Sequence, residues 1–358
     1  MKLSDYTLKL MEEITQVIGV SGNEKYISKV LQKYYKEYTN EVVFDNLGSI
    51  FAVRRCGKDN AKKVMVCGNM DEIGFMVNGI TDMGLIKILP LGTIFNQTIL
   101  AQRVRLINSE GKVFKGSVVT INPQEDKPRS VKISEMLVDI GATSKEEIEE
   151  LGIKLGDSIV IEGQFEVLAT EKRILSKAWD NRYSCIMGIE LLEALKDTDL
   201  DVDLYVGCTV QNKVGLRGSE TATKLVKPDL GIVMDCLQAN DIKVNKDVVG
   251  KLGEGILINY YDKSMMPNRA LLGHLVDICK SNNIKHQYYY SMGESDAKWV
   301  HKLLIGCPTL TTCICARNVS TNSSIIDVYD YISAKKAIVK VIKSLNTKNI
   351  NKFKEENR

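Results

Sequence analysis

Between Glu72 and Ala169 the chain abandons the pattern it carries on either side. Short β-like runs alternate with turns there, at Gly74–Val77, Leu85–Leu89, Arg103–Ile107, Val113–Thr120 and Ser158–Ile161. Glycines punctuate them, among them Gly84, Gly92, Gly111 and Gly156. Regularly spaced short strands predict a small barrel or sandwich. One helix interrupts them, Ser144–Leu151, with Thr143 or Ser144 as its cap and Glu146 and Glu147 in its first turn, where carboxylates suit the unpaired N–H groups. From Leu175 onward the pattern is βαβα. Strand-like runs at Asp203–Val210, Leu230–Met234, Ile256–Tyr260, Gln287–Tyr290 and Thr309–Ala316 alternate with helix-like ones. Such alternation implies an α/β sheet with helices on both faces. The run Lys63–Gly68 has the same buried-strand character, so the two flanks form one sheet and the middle is an insertion. The expected division is residues 1–71 with 170–358, interrupted by 72–169. A chain of 358 residues is long enough for two such units.

Charge excludes some functions. Lys and Arg number 48 and Asp and Glu 45, a balance that favours neither nucleic acid nor a membrane surface. No apolar run approaches the ~20 residues that span a bilayer. At the N-terminus Leu8, Met11, Ile14 and Ile18 recur at helical spacing, with Ser4 as N-cap and Gly19 as stop, which predicts an amphipathic core helix rather than a leader. The nine cysteines contain no Cys-x-x-Cys pair. The nearest group, Cys307, Cys313 and Cys315, lacks a fourth zinc ligand, and Cys313 and Cys315 share one face of an apolar strand, as buried structural thiols do. Free thiols without a framework point to a reducing compartment, hence a cytoplasmic protein. The polar tail, Thr347–Arg358, is expected to fray.

In open α/β sheets ligands bind beyond the carboxyl ends of the strands. That rule directs attention to Asn69–Glu72, Gln211–Gly215, Asp235–Cys236, Met292–Asp296 and Arg317–Ser320. The segments Met70–Val77, Asp139–Ala142, Lys177–Arg182, Val214–Gly218, Val233–Asp235 and Gly293–Ala297 occur in an order that resembles the glutamyl aminopeptidase / cellulase-M family of two-metal aminopeptidases, over nearly the whole chain. The resemblance implies a zinc-exopeptidase-like three-layer α/β domain with an inserted β-rich, small-barrel or PDZ-like, dimerisation domain. It implies two divalent metals, zinc or cobalt, a bridging water and a glutamate base. It also implies dimers that assemble into dodecamers. Two metals clamp the attacking and leaving oxygens while a carboxylate removes the proton.

The chain departs from that pattern where the chemistry is done. By the resemblance, the first metal-binding histidine is Asn69, the general base is Asn212, a metal-binding glutamate is Lys213, and the last histidine is Ser320. The bridging Asp180 and the second-metal Asp235 are retained, as is Asp71, which would orient the missing histidine. Glu294 and Asp296 are assigned to substrate binding. One metal would then see Asn69, Asp180 and Asp235, a poor set for zinc. The other would see Asp180, Lys213 and Ser320. A pair of unit charges ~4 Å apart at an effective dielectric of ~20 interacts by ~4 kcal/mol, and a dication is repelled by more. An amide at Asn212 cannot accept a proton at neutral pH.

These substitutions predict a metal-free site, with at most one weakly held divalent cation, in which Lys213 neutralises Asp180, Asp235 or both. The expected function is that of an inactive homologue. It would act as a structural or regulatory subunit, alone or mixed with an active paralogue, or as a binding protein that holds a peptide through Asp180, Asp235 and Glu294. The alternative is a working metal-dependent aminopeptidase in which Cys236 replaces a lost ligand or Glu294 the lost base. No acid/base carboxylate pair supports a glycosidase.

Overall fold

The computed structural model describes residues 2–121, 131–243 and 248–356. Strand Lys63–Asn69 explains the layering. Beyond Lys63 its residues are all buried, so both of its faces are covered. Val64 and Val66 share a core with Leu10, Ile14, Ile186 and Ile189, from helices Asp5–Gln16 and Trp179–Leu195. Met65 and Cys67 join Ala222, Val226, Ala297 and Val300, from helices Arg217–Val226 and Ala297–Lys302. The two-residue period of a strand thus feeds two helix layers. Each Val, Leu, Ile or Met side chain among them contributes ~1.5–3 kcal/mol on withdrawal from water.

Among the described residues the sheet has eleven strands. Its centre is parallel: Lys63–Asn69 lies between Asp203–Thr209 and Leu230–Gln238, and Thr309–Arg317 follows beside the latter. One edge is a hairpin, Glu41–Phe44 with Ile50–Arg54. Asp45 closes it, its Oδ1 accepting from the N–H groups of Leu47, Gly48 and Ser49.

The inserted segment closes on itself as a six-stranded barrel, in the order Gly74–Ile80, Ile86–Leu91, Met136–Asp139, Val113–Thr120, Arg103–Ile107 and Ser158–Ile161. It has its own core of Phe75, Val104, Leu106, Val138 and Ile159, sealed by Ile148 of helix Lys145–Glu150. The strand Glu166–Val167, which falls inside the span 72–169, pairs with Arg173–Ser176 in the large sheet.

Two expectations need correction. The first helix ends at Gln16, three residues before Gly19, because Val17 turns extended (φ −66°, ψ 132°). The tail does not fray along its described length: Thr347–Glu355 is a helix capped by Asn346, with Ile350 and Phe353 buried. Those two side chains sit three residues apart, on one helix face that a count of polar residues hides. Asn357 and Arg358, also placed in that tail, lie outside the described residues. The nine cysteines are free, and Cys313 and Cys315 are buried together. Among the described residues no helix is long and apolar enough to cross a membrane.

Candidate functional site

Parallel register brings the singled-out residues together. Asn69 ends its strand opposite Thr209, and the chain beyond Thr209 delivers Asn212 and Lys213. Val233 pairs with Cys67, so Asp235, two residues further, is level with Asn69. Asp180 enters from the kinked, non-helical start of Trp179–Leu195 (φ −89°, ψ 97°). All five approach the carboxyl end of the sheet's centre, as the topology requires.

Asp71 is the organiser. It is fully buried. Its Oδ2 accepts from Ser21 Oγ at 2.5 Å and from the Lys213 N–H at 2.9 Å. Its Oδ1 accepts from the Asn212 N–H at 3.1 Å and from Asn69 Nδ2 at 3.0 Å. The carboxylate that would orient a histidine orients an amide instead. Asn69 turns its remaining oxygen to Asn181 Nδ2 at 3.1 Å, and that amide also donates to the Met234 carbonyl at 2.9 Å. Asn212, at the base position, donates through Nδ2 to Asp296 Oδ1 at 2.8 Å. Thr209 Oγ1 donates to the other oxygen of Asp296. Burial holds the Asp296 carboxyl above the usual carboxylate range, although both donors favour its charged form.

Lys213 completes the site. Its Nζ lies 2.6 Å from Asp180 Oδ1, with side-chain exposures of 11% and 15%. Burial alone would lower its pKa, but Asp180, Asp71 and Asp235 together outweigh burial and hold it above the ordinary lysine value. Asp235 is pushed up to about 8, first by burial and then by the charge of Asp180, against the opposing pull of Lys213. The two acids and the ammonium form an internally neutralised cluster.

The remaining assigned residues are more scattered. Ser320 has φ +64° and lines a small cleft with Asp180, Glu72 and Lys177. Asp296 is buried in the site, but as the partner of Asn212 and Thr209. Glu294 is 44% exposed and pairs with Lys298 one helical turn away, at 2.9 Å. Cys236 packs with Met234 and Ile232 in the large core, on the strand face opposite Asp235, where burial holds its thiol far above the usual range.

Three residues that do much of the positioning carried no assignment. Glu72 pairs with Lys177 and Arg182 and accepts from the Gly19 N–H, with every charged side chain at most 4% exposed. Glu24 accepts from the Gln211 N–H at 2.8 Å and is pushed up to about 7 by burial and by the charge of Asp71. Ser21 holds Asp71. The signals for Glu72 and Lys177 were present inside the matched segments, beside Asp71 and Asp180. Nothing in the spacing of the loop Val20–Glu24 marked Ser21 or Glu24.

A two-metal centre needs anionic or neutral donors with free lone pairs around a shared carboxylate. By the resemblance Asp180 would be the shared carboxylate, Asn69 would stand for the first imidazole and Asn212 for the base; here Asp180 is engaged by an ammonium, Asn69 is an amide bound on both its ends, and Asn212 is a hydrogen-bond donor. This donor set does not fit such a centre. Among the described residues, no group of three or more His, Cys, Asp or Glu side chains is arranged to hold a metal ion.

A family model described as M42 glutamyl aminopeptidase matches residues 48–337. The glutamyl aminopeptidase of Lactococcus lactis subsp. cremoris (strain MG1363) is 33% identical over 356 residues, covering 96% of this chain and 98% of that protein. The crystal structure of the TET aminopeptidase from the marine sediment archaeon Thaumarchaeota archaeon SCGC AB-539-E09 matches with a TM-score of 0.93 at 30% identity, over 98% of this chain and 100% of that one. The TET1 peptidase of Pyrococcus horikoshii, which can assemble into a tetrahedron or a large octahedral shell, shares the fold with a TM-score of 0.85 at 24% identity, over 95% and 100% of the two chains. With its three-layer sheet, inserted barrel and strand-end cluster, the chain belongs to the M42 glutamyl aminopeptidase family, a family of divalent-metal aminopeptidases.

Proposed function

We propose that this chain is a non-catalytic member of its family, in which an internal ion pair replaces the metals and the scaffold serves as a structural or regulatory subunit. The observation that carries the reading is the Lys213–Asp180 contact of 2.6 Å. A dication bound at Asp180 would have to displace that ammonium or share the carboxylate with it, and repulsion opposes the second course. The Asn212–Asp296 bond supports the reading independently, since it turns the base position into a donor. Residues 72–169 form the inserted unit in this reading, and the barrel serves dimerisation. Self-association is expected by analogy with the shell-forming peptidase that shares the fold. The cytoplasmic location inferred from the free thiols belongs to the same proposal. The exposed, lysine-paired Glu294 gives the peptide-binding variant less support.

The test is metal content and aminopeptidase turnover of the purified chain with zinc, cobalt and manganese supplied. Less than one equivalent of bound metal and no turnover are expected. Turnover that disappears in Asp180→Ala would establish the alternative, a working enzyme with altered ligation. The converse experiment combines Asn69→His, Asn212→Glu, Lys213→Glu and Ser320→His, and is expected to restore binding of about two metal ions per chain.

A further inference from the structure

The N-terminal segment and helix Val328–Ser344 border two adjoining clefts that share Lys2 and Leu3. The first, of about 320 Å3, is walled by the aliphatic side chains of Leu3, Leu8, Val167, Ile174 and Val328. Its two carboxylates stand at this end: Asp5 in the first turn of its helix, and Glu171 paired with Lys2. The second cleft, of about 680 Å3, continues past Ile332 and Val339 to Lys340 and Lys343. Both volumes fall in the ~300–1,000 Å3 range of small-molecule sites. Val328, Ile332, Val339 and Lys343 recur at helical spacing, so one face of the helix lines both clefts over about 22 Å. The trough is therefore aliphatic at one end and cationic at the other.

Polar groups on its floor are turned inward. Thr7 Oγ1 and Tyr331 OH each donate to the buried Glu190 at 2.6 Å, and Lys335 lies 3.2 Å from it. What remains for a ligand is aliphatic surface, and a helix face, its backbone bonded internally, offers no N–H or C=O to an extended peptide. Lys340 and Lys343 are exposed, and among the described residues neither has a carboxylate within ion-pair distance. The helix dipole accounts for Lys343, in the last turn, but not for Lys340. We propose that the trough binds a single-chain anionic amphiphile, a long-chain fatty acid, with its chain across Leu3 in the aliphatic cleft and its carboxylate on Lys340 and Lys343. Asp5 and Glu171 repel a carboxylate from the aliphatic end, which fixes the direction of the chain. This site is separate from the strand-end cluster and does not depend on whether that cluster is catalytic.

The experiment is calorimetric titration of the full chain with laurate, below its micellar concentration, and with hexanoate. Laurate is expected to bind once per chain, and hexanoate at least about a hundred-fold more weakly, because the short chain leaves the aliphatic cleft unfilled. Two variants test the two ends. Lys340→Glu/Lys343→Glu removes the cations, and Leu3→Asp places a carboxylate where the clefts meet. Each is expected to weaken laurate binding at least about ten-fold. All three positions are at the surface, and melting temperatures equal to that of wild type check the fold. Laurate and hexanoate binding alike, laurate binding that ignores both variants, or uptake of several laurates per chain would each overturn the site. Phosphatidylglycerol vesicles are the second probe: a chain that binds them and not laurate presents these lysines to a membrane surface, which also overturns the proposal. None of these outcomes bears on metal content or turnover.

Discussion

Lys213 Nζ stands 2.6 Å from Asp180 Oδ1 in a pocket where neither side chain is more than 15% exposed. Asp180 and Asp235 otherwise face each other across this site without a counter-charge. Removing one partner of a buried pair leaves an uncompensated charge, which costs ~3–5 kcal/mol. Lys213→Met is therefore expected to lower unfolding free energy by about that much in urea titrations. Asp180→Asn combined with Lys213→Met is expected to recover most of the loss. A Lys213→Met protein as stable as wild type would mean that the ion pair does not hold the site together. The same single variant is also expected to gain weak divalent-cation affinity, read as a melting temperature that rises with added manganese.

The contents of this site were legible from Asn69, Asp180, Lys213 and Asp235 because parallel strands deliver their carboxyl ends to one place. The ammonium was expected to serve Asp180, Asp235 or both, and its hydrogen bond goes to Asp180. The barrel was legible from its glycine-punctuated runs, since turns and two-residue alternation are local signals. Glu72 with Lys177 and Arg182 was not, because it joins residues about a hundred positions apart and no local spacing encodes it. The partners of Asp296, a residue assigned to substrate binding, were not legible either. Its two oxygens are engaged by Thr209 and Asn212, a contact that depends on how the loop after strand Asp203–Thr209 turns. The C-terminal helix was obscured by its lysines and asparagines, whose aliphatic or amide bodies leave Ile350 and Phe353 as the face that packs.

Asn212→Ala isolates the polar half of the site. It removes the Nδ2 donor from Asp296 Oδ1 while leaving the backbone bond to Asp71 in place. A buried acceptor left without its donor costs ~1–3 kcal/mol, and that loss is expected in chemical denaturation. Asn212→Asp is expected to cost more at pH 8 than at pH 5, because it places a second carboxylate 2.8 Å from the first.

Asp330 predicts a pH dependence outside the site. It is fully buried, and burial pushes it up to about 7 although the N–H groups of Gly253 and Gly255 donate to it at 2.9 and 2.6 Å. A carboxyl whose folded pKa is raised binds more protons folded than unfolded between the two values. Its stabilising share is therefore complete below about pH 4 and is lost as pH rises to about 7, with a slope of at most ~1.4 kcal/mol per pH unit. Glu24 and Asp235, raised to about 7 and about 8, act in the same direction. Stability measured from pH 5 to pH 8 is expected to fall, and Asp330→Asn is expected to flatten the slope even if it lowers stability throughout. An unchanged slope would mean that Asp330 titrates normally.

Glu72→Gln tests the network that joins the first helix, the barrel entrance and helix Trp179–Leu195. Glu72 is the carboxylate shared by Lys177 and Arg182, all three buried. Burial lowers Lys177 to about 8, with Glu72 holding it up and Arg182 pressing it down. Without the carboxylate Lys177 loses its support and gives up its proton on folding at neutral pH, while Arg182 stays charged. The cost is ~3–5 kcal/mol at about pH 7. A lysine whose folded pKa is depressed contributes stability that grows as pH rises from the folded value toward the unfolded one. In the variant that rise begins below about 8, whereas in wild type it begins at about 8, so the gap is expected to narrow from about pH 6 to about pH 8 and then to hold level up to about pH 10. Urea titrations of both proteins across that range provide the comparison, and a gap independent of pH would assign the whole loss to Arg182.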